Sequence, residues 1–542
     1  MNMLKRVMLA GIMGAMAETL AACDRSTPQE AEGPNINLAV ETSSGKVAGL
    51  DEAGIAVFRG IPYAAAPVGD LRWKPPQKAA AWAGVRDAKT FGPGCVQLPP
   101  DPSGPPGIPG ASLSEDCLFL NIWVPPHESS EKLPVMVHIH GGGLQSGGAD
   151  FKGALSVDGD GMAKRGIVYV SIQYRLGVMG FMAHPQLTRE SPEGVSGNYG
   201  LLDQIAALEW VRDNIAAFGG DPGRVTIFGG SGGATACLYL MTSPKAEGLF
   251  HGVISQSALG LVIPPRTVLK QAESIGAGMG PDVSALRAMP PEQILQKMAA
   301  LPPALRDPIG FPFFPNVDGV VLPDQPALLF ATGRVAKVPL IAGWASEDGG
   351  VGLAGVGPMS VEAWKGFAQA AMPAAPEKFL ATFPAATDAD VPRATARFFT
   401  DWGFAYDAYT STRAVARAGG RAWLYEFSRA NPRIWPAPPG VNRGAFHASD
   451  MAYAIGHYEG EVTAPDVYNE MDRAIGQAMT GAWVQFARTG DPNGPGLKEW
   501  RPVGSGVLER MEFGDHVGMG SPANAQALKV LDGILDGSSA PH

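Results

Sequence analysis

Val225-Thr226-Ile227-Phe228-Gly229-Gly230-Ser231-Gly232-Gly233 reads as an apolar strand ending in a glycine turn around one serine, and Ala234 to Met241 continues with helical character. Gly-x-Ser-x-Gly alone is a weak signal in a glycine-rich chain. Between a strand and a helix it marks a nucleophile elbow, a turn so tight that side chains beside the serine would clash. Ser231 is then held exposed, with the N-terminus of the next helix beneath it. The competing reading is a glycine turn with an incidental serine.

The same rhythm recurs on both sides of this stretch. Val135 to His140 runs into Gly141-Gly142-Gly143, and Ile167 to Ile172 runs into Gln173-Tyr174-Arg175. Val253 to Ser255, Pro339 to Ala342 and Arg421 to Phe427 are further apolar runs. Near-continuous apolar strands suit a parallel sheet covered on both faces. Tyr199 to Phe218 has apolar residues at helical spacing and stops at Gly219-Gly220-Asp221-Pro222, and Pro465 to Arg488 reads as a late helix. The alternation predicts an α/β protein with one large, mostly parallel sheet. Residues 96–110 and 301–325 are rich in Pro and Gly and read as surface excursions.

Active sites of open α/β sheets gather at the carboxyl ends of the strands. A serine hydroxyl there needs a base, and an oxyanion needs donors. His140-Gly141-Gly142-Gly143 follows a strand as an HGGG-type loop does. It offers the N–H groups of Gly142 and Gly143, with that of Gly232, as oxyanion donors; the bland reading is a structural turn. Chain order in this fold is serine, acid, histidine. Glu347-Asp348 follows a strand and supplies the acid. Of the nine histidines, His447 then follows the last long strand by a loop, with His457 as the fallback. His138 and His140 have metal-ligand spacing on one strand face, but no compatible Cys, Asp or Glu cluster accompanies them. Gly350-x-Gly352-x-x-Gly355 fits a dinucleotide fingerprint, yet Gly357-Pro358 stands where the helix should open, so it reads as a loop.

Composition bounds the rest. The chain has 542 residues and is 45% hydrophobic, enough for a sizeable core. Gly 70 and Pro 48 are its oddest feature. Together they make about 22% of the chain, against ~12% in average usage. Lys+Arg 42 against Asp+Glu 52 leaves a net charge of −10, which gives no electrostatic reason to hold nucleic acid. At the N-terminus, Lys5 and Arg6 precede the apolar run Val7 to Ala17, too short to span a bilayer. Leu20-Ala21-Ala22-Cys23 then resembles a bacterial lipobox, in which the cysteine is lipidated. Residues 1–22 therefore read as a lipoprotein-type signal peptide and 23–34 as a polar tether to a membrane. Residues 35–542 read as one domain, exported to the periplasm or its membrane face. An ordinary secretory signal with Cys23 incidental is the alternative.

These motifs resemble the type-B carboxylesterase family, which includes bacterial para-nitrobenzyl esterases and the cholinesterases. The likeness runs from about residue 37 to 516. Phe58-Arg59-Gly60-Ile61-Pro62-Tyr63 and Leu71-Arg72-Trp73 resemble its N-terminal signature, and Ser114 to Asn121 resembles its second one. Gly197 to Leu201, Asn214 to Pro222 and Gly444 to Tyr453 are similar to its runs around the serine and the histidine. The resemblance implies an α/β-hydrolase fold with Ser231 as nucleophile and His447 as base. It implies hydrolysis of a small-molecule carboxylic ester through an acyl-enzyme, without a cofactor. By the match the acid is Asp348, where the family usually has Glu, with Glu347 the alternative. Cys95 and Cys117 match the family's first disulfide, and Cys237 reads as a buried free thiol. The family elbow is commonly Gly-Glu-Ser-Ala-Gly; here Gly230 and Gly232 replace Glu and Ala, and Gln173 replaces the usual Asn. A non-catalytic binding protein on this fold, or an amide or thioester hydrolase, are the rival functions. Phe313, Phe314, Trp344 and Phe399 read either as pocket lining or as core.

Overall fold

A computed structural model describes residues 37–98, 112–128, 130–150, 158–262, 268–302, 305, 312–350, 359–373, 375–430, 444–459, 468–504 and 508–538. The expected leader (1–22), tether (23–34) and Cys23 lie outside them, as do Gly352 and Gly355 of the dinucleotide-like motif.

Sixteen strands are described. They begin with β1 (Ala39–Thr42), β2 (Gly45–Ala48), β3 (Leu50–Glu52), β4 (Ile55–Pro62), β5 (Val85–Asp87), β6 (Gly94–Cys95), β7 (Leu113–Ser114) and β8 (Phe119–Val124). The others are β9 (Leu133–Ile139), β10 (Val168–Ile172), β11 (Gly220–Gly230), β12 (Gly252–Gln256), β13 (Leu340–Ala345), β14 (Ala422–Phe427), β15 (Arg510–Phe513) and β16 (Val517–Gly520). Eleven form one sheet in the order β16-β15-β14-β13-β12-β11-β9-β10-β8-β4-β3. Its centre, from β15 to β10, is parallel throughout, and the pairings at both flanks are antiparallel.

The central strands are buried on both faces, which is why their sequences run apolar without alternation. One face packs against the helices Tyr199–Asn214, Gly232–Thr242 and Tyr406–Arg417; the other meets the helix Glu470–Thr489. The expected helix at 199–218 is α-helical to Asn214, tightens into a 3₁₀ turn at Ile215–Phe218, and ends at Gly219 with φ +79°. The late helix starts at Glu470, later than the apolar pattern suggested. The Asn469 side chain accepts the Asp472 N–H there, while the Asp472 carboxylate accepts the Asn469 N–H, a reciprocal cap that sets the boundary.

Cys95 and Cys117 form a disulfide across a sequence separation of 22. β6, which ends at Cys95, pairs in parallel with β7 just before Cys117. Cys237 is a buried free thiol, as read from the sequence, and burial pushes its pKa up. Phe313, Phe314 and Trp344 are buried core residues and Phe399 is partly buried.

Asp407, fully buried on the helix Tyr406–Arg417, ties down the segment after β12 by accepting the Leu261 N–H at 2.6 Å. Burial pushes its carboxyl up to about 7, against the pull of the Leu261 and Val262 N–H groups.

Replacing Cys95 and Cys117 by Ser lowers stability by about 3 kcal/mol in the loop-entropy account. A lower denaturant midpoint, with a steeper slope as the unfolded chain expands, is the readout, and an unchanged midpoint would refute it. For Asp407, the folded state keeps a proton that the unfolded chain has released between about pH 4 and 7. Its contribution is therefore most favourable at acid pH and declines as pH rises to about 7. Asp407→Asn flattens that slope and raises the melting temperature at about pH 8 relative to the parent. An unchanged pH profile would overturn the assignment.

Candidate active site

β11, β12 and β13 lie side by side, and their carboxyl ends carry Ser231, Ser257 and Asp348. Ser231 stands between β11 and the helix Gly232–Thr242 with φ +56° and ψ −124°. That conformation is costly for any residue with a Cβ and persists only where the surroundings enforce it. Its N–H donates to the Gln256 carbonyl at 2.8 Å, and its carbonyl accepts the Thr235 N–H at 2.9 Å. The turn is thus pinned to β12 on one side and to its own helix on the other.

The glycines make this turn compatible with close packing. A Cβ on Gly233 would run into the carbonyls of Ile139 and His140. A Cβ on Gly232 would lie 2.7 Å from the Gly143 nitrogen and 2.8 Å from that of Leu144. Gly232 therefore sits directly against the loop after β9, where the family's usual Ala would not fit this backbone. In that loop Gly142 and Gly143 have φ of +105° and +62°. The Gly142 carbonyl accepts the N–H groups of Gln145 and Ser146, both at 3.0 Å, while the Gly177 N–H donates to the Leu144 carbonyl at 2.8 Å. Neither the Gly142 nor the Gly143 N–H donates to another described residue. The Gly232 N–H opens its helix and has no intrahelical partner. All three proposed donors thus lie within one small patch of backbone.

Asp348 is completely buried in the turn after β13. Its Oδ1 meets His447 Nδ1 at 2.8 Å, and its Oδ2 accepts the Ser257 hydroxyl at 2.8 Å and the Ala345 N–H at 2.7 Å. A carboxylate accepts, so Nδ1 carries the hydrogen and Nε2 is left as the basic nitrogen. His447 stays 14% exposed, enough to face a substrate. Backbone pairing explains how acid and histidine meet: Glu347 bridges to Phe446, and its N–H donates to the Ala445 carbonyl at 2.8 Å. Glu347 itself turns the other way. Its side chain lies against Gly444, and its carboxyl is raised by burial and lowered by Arg397 and Arg393.

The other histidines singled out in the sequence, His457, His138 and His140, are engaged elsewhere. His457, the fallback base, is buried with Nε2 3.2 Å from Asp160 Oδ1. His138 and His140, expected on one strand face, pack against different rings. His138 lies against Tyr169 and Phe228, and His140 stacks on Tyr174 at 4.3 Å. The reason is that β9 ends at Ile139, so the strand's alternation no longer governs His140. Burial pushes both below the usual imidazole range, to about 3 and about 4. Among the described residues no three His, Cys, Asp or Glu side chains gather as metal ligands.

Two contacts were invisible to sequence reading. Ser257, with φ +59°, orients the far oxygen of Asp348. Phe404 lies 4.8 Å from the His447 ring, on a π-helical stretch Phe399–Ala405, a distortion that often marks functional sites. Neither has a local pattern; only the fold joins them to the site. Gly230 also finds its explanation. The place of its missing side chain is taken by Met451, whose Sδ lies 2.9 Å from where a Cβ would stand. The segment following His447 is thereby packed onto the elbow.

Comparison with known proteins agrees with this architecture. Residues 37–530 match the model of the carboxylesterase family. The chain is 36% identical over 530 residues to the fumonisin B1 esterase of Sphingopyxis macrogoltabida, covering 95% of this chain and 94% of that one. It is 32% identical over 468 residues to the para-nitrobenzyl esterase of Bacillus subtilis (strain 168), covering 84% and 90%. The solved structure of a PNB esterase superposes with a TM-score of 0.76 at 29% identity, over 91% of this chain and 99% of that one. That likeness establishes the α/β-hydrolase fold. The chain belongs to the carboxylesterase family and is a carboxylic ester hydrolase.

Proposed function

We propose that Ser231 is the nucleophile, His447 the general base and then acid, and Asp348 the carboxylate that orients it. The observation that carries this reading is the 2.8 Å contact between His447 Nδ1 and the buried Asp348 carboxylate, beside a serine in a strained elbow. His447 Nε2 takes the proton as the Ser231 hydroxyl attacks the ester carbonyl. Asp348 stabilises the resulting imidazolium, and its own second oxygen is satisfied by Ser257 and Ala345. The N–H groups of Gly142, Gly143 and Gly232 receive the oxyanion. Each donor in such a hole contributes roughly 3–4 kcal/mol to the transition state. His447 returns the proton to the departing alcohol, and water then deacylates Ser231 by the same route. Every step uses only groups of the chain, the ester and water, so the mechanism calls for no cofactor.

The substrate is a small-molecule carboxylic ester. The names of the relatives, an esterase of fumonisin B1 and a para-nitrobenzyl esterase, support a small-molecule ester. Export is part of the same proposal. Residues 1–22 direct the chain out of the bacterial cytoplasm, and lipidated Cys23 tethers the enzyme to a membrane through residues 24–34. The leader pattern of Lys5-Arg6, Val7 to Ala17 and Leu20 to Cys23 supports it.

Ser231→Ala lowers kcat on a p-nitrophenyl ester by on the order of 10⁶-fold, and Asp348→Asn by about 10⁴-fold. Ser257→Ala, which removes one hydrogen bond to the acid, costs about tenfold. Melting curves like the parent's identify these as chemical losses; near-normal turnover in the Ser231 variant would refute the site. For the tether, the parent partitions with membranes and Cys23→Ala releases it to the soluble fraction. A wholly soluble parent would exclude lipidation.

A further inference from the structure

Gln256 closes β12; its side-chain oxygen accepts the buried Trp483 indole N–H at 3.4 Å, and two further contacts reach the site. Its backbone carbonyl accepts the Ser231 N–H at 2.8 Å. Its side-chain amide donates to Asp450 Oδ2 at 2.9 Å. Asp450 lies three residues beyond His447 and is completely buried. The Tyr425 hydroxyl, from β14, donates to the same oxygen at 2.7 Å. β12 and β14 are the neighbours of β13, the strand that leads to Asp348. One carboxyl oxygen therefore gathers donors from both sides of the strand that bears the acid.

A buried carboxyl is expensive to keep, and an apolar residue of similar size fills a core better. The cost here is not offset by full satisfaction, because Asp450 Oδ1 has no partner among the described residues. The backbone between His447 and Asp450 is also strained, with Ala448 at φ +67°. Four of the six described non-glycine residues with positive φ lie around this site: Leu144, Ser231, Ser257 and Ala448. Such strain persists only where contacts over-determine it. Asp450 is close enough to the triad to interact with it. Burial, above all, raises its carboxyl pKa; Gln256, Tyr425 and His447 lower it, while Asp348 raises it.

We propose that Asp450 and Gln256 are positioning residues, a clamp that holds the His447 loop in register with the Ser231 elbow. The proposal rests on the reading of Ser231, His447 and Asp348 as the triad. Gln256 is fixed to the nucleophile through its backbone and to the histidine loop through its amide. When either partner is removed, His447 keeps Asp348 but loses its fixed placement relative to Ser231. No group that would contact substrate is altered, so the loss falls on kcat and leaves KM.

The test is steady-state hydrolysis of a p-nitrophenyl ester, with melting curves, by the full chain and its variants. Asp450→Ala and Gln256→Ala each lower kcat about 10- to 100-fold, with KM within about threefold. The double variant is no worse than the poorer single one, because the pair acts as a unit. Asp450→Asn keeps an acceptor oxygen for both donors and recovers kcat to within about fivefold of the parent. Full kcat in a folded Gln256→Ala or Asp450→Ala, additive losses, or losses borne by KM overturn the clamp. If Asp450→Ala does not fold, Gln256→Ala and Asp450→Asn decide the matter alone. Labelling with an organophosphonate separates the two levels. A parent that is not labelled, or a Ser231→Ala variant that is labelled equally well, defeats the triad reading itself. Normal labelling of Ser231 with unimpaired clamp variants defeats only the clamp.

Discussion

The left-handed turn at Ser231 is the constraint on which the rest of the site depends. A residue with a side chain at φ +56° must be held there, and the holding comes from both directions. β12 takes its N–H, and the helix it begins takes its carbonyl. The backbone on both sides must then pass very close to β9 and the loop that follows it. Gly229 and Gly233 meet the Ile139 carbonyl, and Gly232 meets the nitrogens of Gly143 and Leu144. The same close approach that relieves the turn of side chains brings the N–H groups of two loops together. Exposure of the serine and assembly of the donor patch are one geometric event.

The acid and the histidine are placed by a second, independent device. The bridge between Glu347 and Phe446 joins two segments nearly one hundred residues apart in sequence. Consecutive residues of a paired extended segment point to opposite sides. With Glu347 in the bridge and its side chain against Gly444, Asp348 is the residue directed at His447. Around them the sheet supplies rigidity. Strands covered on both faces leave little room for the carboxyl ends to shift against one another.

Much of this was legible from the chain. The apolar runs located the central strands because a doubly covered sheet imposes no alternation, and the turn chemistry after each run located the ends where the site lies. The expected elbow, loop and histidine all fall at those ends. The choice between Glu347 and Asp348 was not readable from their own pattern, since adjacent carboxylates after a strand look alike. It needed the likeness to a family, and the structure adds the hydrogen bond. Ser257, Phe404 and the Asp450–Gln256 contact were beyond reach for a different reason. Each is a single side chain meeting a partner tens to hundreds of residues away, with no periodicity or spacing to announce it. The antiparallel flanks also went unread as strands: β3 and β16 are short, and β4 and β8 were met only as signature motifs, without the alternation or turn that marks a strand. β11 begins at Gly220 rather than at Val225, since its pairing with β9 continues across a bulge through residues that look like a turn.

Gly230 looked like an unexplained departure from the family pattern, and the Met451 thioether lying over it changes its meaning. The two positions draw on a single volume. In this backbone a side chain at 230 would meet the flexible end of Met451, which must swing aside to admit it, although the two are far apart in the chain. A larger residue at 230 is admitted either by a new Met451 rotamer or by a shorter side chain at 451, so the two positions are coupled through space. The size tolerated at 230 is therefore set from 451, by how tightly the histidine loop lies on the elbow.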